Sequence, residues 1–139
     1  MTPAALTGLP LPLTALFAGL CALLFTVFCT LVIVNRGRTG TSLGDGGDEA
    51  LRLAIRRFGN FTEFVPIGLV LMAVIELNGA AEWMLWAMGG LLVAGRLLHF
   101  CGLDPNKGAT AGRVAGIAAN LIAILGGGVV AIVQFLDAA

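Results

Sequence analysis

Arg52, Arg56, Asn60 and Glu63 stand four, four and three residues apart, a spacing that puts all of them on one face of a helix. Two guanidinium groups, a carboxamide and a carboxylate on one stripe can hold a ligand carrying both carboxylates and an amine. Arg takes a carboxylate through two parallel N–H donors, and Glu63 can take an ammonium. From Arg56 to Glu63 the stripe runs roughly 10 Å along the helix axis. The surrounding residues are apolar enough to lie in a bilayer. A carboxylate at that depth costs about 2.5–3.5 kcal/mol on insertion scales, so Glu63 requires a partner. Two readings satisfy it: a buried ion pair with Arg56 that only fixes helix register, or a bound charged ligand. Pro66, three residues beyond Glu63, has no N–H, which frees the Thr62 carbonyl and predicts a local bend beside the stripe.

Further polar groups are expected at the same level. Arg36 ends the first apolar run, Arg96 and His99 close the third, and Arg113 opens the fourth. Taken singly, a terminal Arg snorkels and a lone His bonds locally. Together, guanidinium groups around Asn60 and Glu63 suit a small zwitterion with more carboxylates than amines, a description that glutathione fits. Cys21, Cys29 and Cys101 form no CxxC pair and no zinc spacing with His99, so no metal is expected and the cysteines read as apolar packing. One His without a second axial ligand is also a weak haem signal.

The elements that must carry these residues follow from composition. Of 139 residues 58% are apolar, 12% are charged and 20 are glycine, too little polar surface for a water-soluble domain. Formal net charge is zero, which sets nucleic acid aside as a partner. A bilayer core of about 30 Å takes roughly 20 apolar residues in a helix, and lipid leaves backbone groups no other partner. Four segments meet that length, predicting helices at about 11–34, 50–77, 82–101 and 112–136 in a single four-helix membrane domain. Met1 to Asn35 carries no charge and no basic residue precedes the first run, so it reads as a retained span rather than a signal peptide. From Asp48 onward the second helix is expected to start with acidic residues at its positive end. In the fourth, Ala119, Ala123, Gly127 and Ala131 recur at every fourth residue and predict a close helix contact, with Gly112 and Gly116 in similar spacing.

All eight basic residues fall in the first and third connections, NRGRTGTSLGDGGDEALR with its following turn and the segment from Arg96 to Arg113. The positive-inside rule then places those connections and the polar cluster in the cytosol and both termini outside. Glycine and Ser/Thr in the first connection favour an exposed loop, and Asp104-Pro105 with Gly108 breaks the helix in the third.

The segment AIRRFGNFTEFVP, residues 54–66, resembles the signature of the membrane-associated proteins in eicosanoid and glutathione metabolism, the MAPEG family, through Arg56, Asn60, Glu63 and Pro66. GRLLHFCGL, residues 95–103, and Arg113 extend the likeness. The resemblance implies a homotrimer in membrane lipid. It also implies glutathione as cosubstrate, bound bent between neighbouring copies, and lipophilic small-molecule substrates arriving from the bilayer. By the same resemblance Arg36, Arg56, Asn60, Glu63 and His99 hold the tripeptide and Arg113 sits near its sulfur as the thiol-activating residue. Arg96 and Pro66 support the site.

The chain departs from familiar members in having no Tyr. Phe64, His99 and Leu103 stand where several relatives place one, so Phe64 and Leu103 are expected to supply only packing around the ligand. The reading is an all-α integral membrane protein, a glutathione transferase or peroxidase with no metal. A noncatalytic trimeric scaffold or accessory subunit is the alternative. A small four-helix transporter coupled through Glu63 fits less well, because the arginines would repel a cation.

Overall fold

The structure, a computed structural model, describes residues 10–104 and 106–139. The helix break assigned to Pro105 and the first nine residues of the charge-free run lie outside the described residues. Among the described residues there are four helices: α1 (Pro12–Thr39), α2 (Glu49–Leu77), α3 (Glu82–Gly102) and α4 (Ala111–Ala138). Each is long and apolar enough to cross a membrane. No strand occurs among the described residues.

The first helix ends five residues later than its hydropathy predicts, at Thr39 rather than Val34. Gly40 explains the stop: it takes the left-handed conformation (φ 67°) and its N–H returns to the Arg36 carbonyl. The polar residues Asn35 to Thr39 thus extend α1 past the apolar run, and the first connection shrinks to residues 40–48. Asp48 then caps α2, its carboxylate accepting from the Leu51 N–H at 2.8 Å and pairing with Arg38 at 2.6 Å. The Arg38 hydrogen bond, followed by the backbone N–H, holds the Asp48 carboxyl below its usual 3.8.

Glu76, near the far end of α2, caps α1 from outside. Its two carboxylate oxygens accept from the N–H groups of Leu13 and Thr14 at 2.9 and 2.8 Å, donors that the first turn of a helix leaves unpaired. Pro66 sits inside α2, which continues through it to Leu77.

α2 packs against each of the other three helices, and α3 against α4 makes the most extensive contact. One apolar cluster joins Leu13, Phe17, Met72, Ile75, Leu85 and Met88, and a second joins Cys21, Phe28, Phe61, Val65 and Leu92. Much of the outer surface, including Leu23, Ile33, Leu125 and Phe135, is apolar and exposed, as lipid contact requires.

The buried face of α4 is Gly116, Asn120, Ala123 and Gly127, a stripe rotated from the expected one, in which Ala119 and Ala131 are only half-buried. The glycine and asparagine decide the rotation. A Cβ on Gly116 would lie 2.5 Å from the His99 nitrogen and 2.6 Å from the Gly95 carbonyl oxygen, so only glycine permits this backbone approach. Asn120, fully buried, donates to the carbonyls of Gly116, Leu91 and Leu92. Its amide nitrogen is thereby tied to α3, which fixes the face that α4 turns inward.

Candidate functional site

The end of α2 nearest the first loop, the α3–α4 connection and the first turn of α4 enclose a cleft of about 310 Å³. Arg52, Leu53 and Arg56 form its α2 wall, and Leu103, Asp104, Lys107 and Arg113 form the facing wall. Four cations face one anion. Asp104 accepts from the Asn106 N–H, and that bond, with Lys107 3.5 Å away, holds its carboxyl below the usual 3.8 and therefore ionised at neutral pH.

The facing wall is fixed by a short relay. The Thr110 hydroxyl donates to the Gly102 carbonyl and accepts from the Arg113 N–H at 3.2 Å, capping α4 while tying its start to the end of α3. Arg113 consequently leaves the first turn of α4 half-buried and lining the cleft. A cation at that end of a helix gains nothing from the helix dipole, which favours anions there, so the same few ångströms attract negative charge twice over.

Arg96, only 2% exposed, stands behind the cleft. Its guanidinium donates to the Asn60 carbonyl at 3.0 Å and reaches the Gly116 carbonyl at 3.4 Å, while its carbon lies 4.7 Å over the Phe64 ring. One buried cation thereby joins α3 to both α2 and α4 and occupies a face of Phe64. His99, one turn further along α3, is buried as well.

The residues singled out from the sequence therefore separate into groups. Arg56, Arg113 and Leu103 share the cleft, whereas Arg96 joins Asn60 and Phe64 outside its lining and His99 is buried on α3. Arg36 is turned away to its own loop, where one guanidinium nitrogen donates to the carbonyls of Thr41, Ser42 and Gly44 at 3.0–3.2 Å. Glu63 and Pro66 are exposed on α2. No ion pair joins Arg56 to Glu63: among the described residues the salt bridges are Arg38–Asp48 and Lys107–Asp104. The purely structural explanation of the stripe thus lacks its central contact. Arg52, on the stripe with Arg56, and Lys107, which was not singled out, complete the cleft, and Arg57, half-buried, braces it. Arg52 was legible through its four-residue spacing from Arg56. For Lys107 the only signal was its place in the basic third connection.

Comparison with known protein families matches residues 14–133 to the MAPEG family, most of the chain. The chain belongs to the MAPEG family. Among curated relatives, the inner membrane protein YecN of Escherichia coli strain K12 is 45% identical over 89 residues, covering 64% of this chain and 68% of that protein. YecN of Escherichia coli O6:H1 matches equally. That name states a location and no reaction. No solved structure matches the chain. Four apolar helices, MAPEG membership and an inner-membrane relative make this a multi-pass integral membrane protein.

Proposed function

We propose that this MAPEG chain is a membrane glutathione transferase or peroxidase that binds glutathione in the basic cleft and activates its thiol beside Arg113. The observation that carries the reading is the cleft itself, in which Arg56 and Arg113 face each other across a space at the lower end of small-molecule sites, about 300–1,000 Å³. Glutathione at neutral pH brings two carboxylates and one ammonium. Its glycyl carboxylate suits Arg52 and Arg56. The γ-glutamyl end carries the second carboxylate and the ammonium on one carbon, and Glu63 of a neighbouring copy receives that ammonium.

A free thiol has a pKa of about 8.5 and is mostly protonated at pH 7. A guanidinium close to the sulfur lowers the cost of the thiolate, and the proton leaves to water at the open cleft. The thiolate sulfur then donates its electron pair to an electrophilic carbon, and the leaving group departs with the bonding pair. With a hydroperoxide it attacks the terminal oxygen. The O–O bond breaks, an alcohol leaves after protonation, and a second glutathione converts the sulfenic acid to disulfide and water. The apolar groove of about 420 Å³ between α1 and α2, floored by Phe25, Phe61 and Val65 and flanked by Thr62 and Pro66, supplies a lipid-side approach next to Glu63.

The exposed carboxylate of Glu63 supports a homotrimer with the cytosolic-side site completed by a neighbouring copy, because a charge within a membrane span that forms no ion pair among the described residues needs a partner from elsewhere. A noncatalytic trimeric scaffold is the second reading. It is favoured by a cleft wall that offers no hydroxyl side chain: Leu103 stands in it, and Phe64 is occupied by Arg96. Conjugation of glutathione to a lipophilic electrophile, and reduction of a lipid hydroperoxide, by the detergent-purified protein separate the two. Turnover supports the enzyme, and bound glutathione without either turnover supports the scaffold. No binding at millimolar glutathione contradicts both the enzyme and a glutathione-loaded scaffold.

A further inference from the structure

Arg57 follows Arg56 directly but lies about 100° further around α2, so it faces the bundle where Arg56 faces the cleft. Its Nη2 donates to the Leu103 carbonyl at 3.1 Å. Its guanidinium carbon lies 4.2 Å from the centre of the Phe100 ring, and that ring stacks on Phe28 of α1 with centroids 4.4 Å apart and planes 11° from parallel. A single side chain of α2 thus grips the residue that caps the end of α3 while resting on a platform backed by α1.

The gripped carbonyl begins the facing wall of the cleft. Thr110 holds the carbonyl just before it, that of Gly102, and passes the restraint to Arg113. Among the described residues, the Arg57 bond is the one side-chain hydrogen bond that joins α2 to the 102–113 wall. Arg suits this place because the flat face of the guanidinium lies on an aromatic ring while its edge donates, and a lysine ammonium cannot do both.

We propose that Arg57 is a positioning residue that sets the separation of the two cleft walls, and with it the reach of Arg113 toward a ligand anchored at Arg56. The proposal rests on the reading of the cleft as the glutathione site. The test uses full-length purified protein carrying Arg57→Gln, Arg57→Lys or Phe100→Leu. It measures hydrogen exchange of the 103–108 turn together with glutathione affinity and thiolate absorbance per bound glutathione.

The expected result for Arg57→Gln is exchange in the turn at least 10-fold faster, thiolate absorbance per bound ligand at least 5-fold lower, and Kd changed less than 3-fold. Arg57→Lys should recover less than half of the thiolate signal. Phe100→Leu should reproduce the Gln variant, and the double variant should be no worse than either single one, because both act through the same contact. A residue that only adds stability would lower the melting temperature and leave the thiolate yield of the folded fraction unchanged, and that result overturns the proposal. So does unchanged exchange in the turn. If wild-type protein binds no glutathione, faster exchange confined to residues 103–108 still upholds the positioning contact while the glutathione reading fails. Should the Gln variant not fold, the Lys and Phe100 variants decide.

Discussion

At the scale of residues, Arg56 and Arg113 face the same cleft from different elements, and their proposed roles predict different kinetics. A hydrogen bond to a charged group is worth about 1.5–3 kcal/mol, so Arg56→Ala should weaken glutathione binding by roughly 10- to 100-fold. Arg113→Ala should instead lower kcat by on the order of 10²-fold with Kd changed far less, as loss of an interaction made chiefly with developing negative charge does. Steady-state kinetics beside equilibrium binding check the pair, and equal effects on both quantities in both variants would remove the division of labour. The four-residue spacing of the stripe made Arg56 visible in the sequence. Arg57 was not, because adjacent residues on a helix differ only in azimuth, and which of two neighbouring arginines faces a cleft is decided by the helices packed against them. Arg36 shows the same limit. Its place at the end of an apolar run suits a ligand contact, yet three backward-turning carbonyls of its own loop claim its guanidinium.

At the scale of elements, helix ends account for most of the long-range polar contacts. Glu76 satisfies two N–H groups of α1, so Glu76→Ala should destabilise the protein by about 1–2 kcal/mol and loosen the first turn of α1. Denaturation in detergent with hydrogen exchange at Leu13 and Thr14 checks it. The Asp48 clamp adds a pH dependence. Its folded carboxyl is held below 3.8, chiefly by the Arg38 hydrogen bond, so its contribution is complete above the unfolded value and drains away as pH falls through the lower folded one. Asp48→Asn should therefore be less stable than wild type at pH 7, and the gap should close as pH falls below 3.8 and through the lower folded value. Melting curves at pH 7 and in a descending acid series test this, and a gap that persists in acid contradicts it. Gly116→Ala should cost about 1–3 kcal/mol, since the added methyl meets backbone that cannot yield locally. The four spans were legible because charge-free runs of that length have one stable form in lipid. The exact face of α4 was not: small residues at positions 115, 116, 118, 119 and 123 offer several stripes, and the buried pairing of Asn120 with α3 carbonyls selects among them.

At the scale of the whole molecule, the bundle gathers at one end the starts of α2 and α4 and the close of α3, so a chain with zero formal net charge still carries a concentrated positive site. Bulk composition conveys none of that separation. The order of helices does, because up-and-down connectivity returns both basic connections to one side. The same arrangement leaves Glu63 exposed on α2 and without an ion pair among the described residues. The homotrimer proposed here therefore predicts that Glu63→Ala impairs glutathione binding even though Glu63 lies outside the cleft of its own chain. Thiolate formation provides the most direct measurement of the central claim. Glutathione is titrated into the detergent-purified protein at neutral pH, and thiolate absorbance in the ultraviolet is followed beside the Arg113→Ala variant. The account predicts a saturable thiolate signal in the wild type and its loss in a variant that still binds glutathione. Glutathione bound by both proteins with no thiolate signal in either would contradict it.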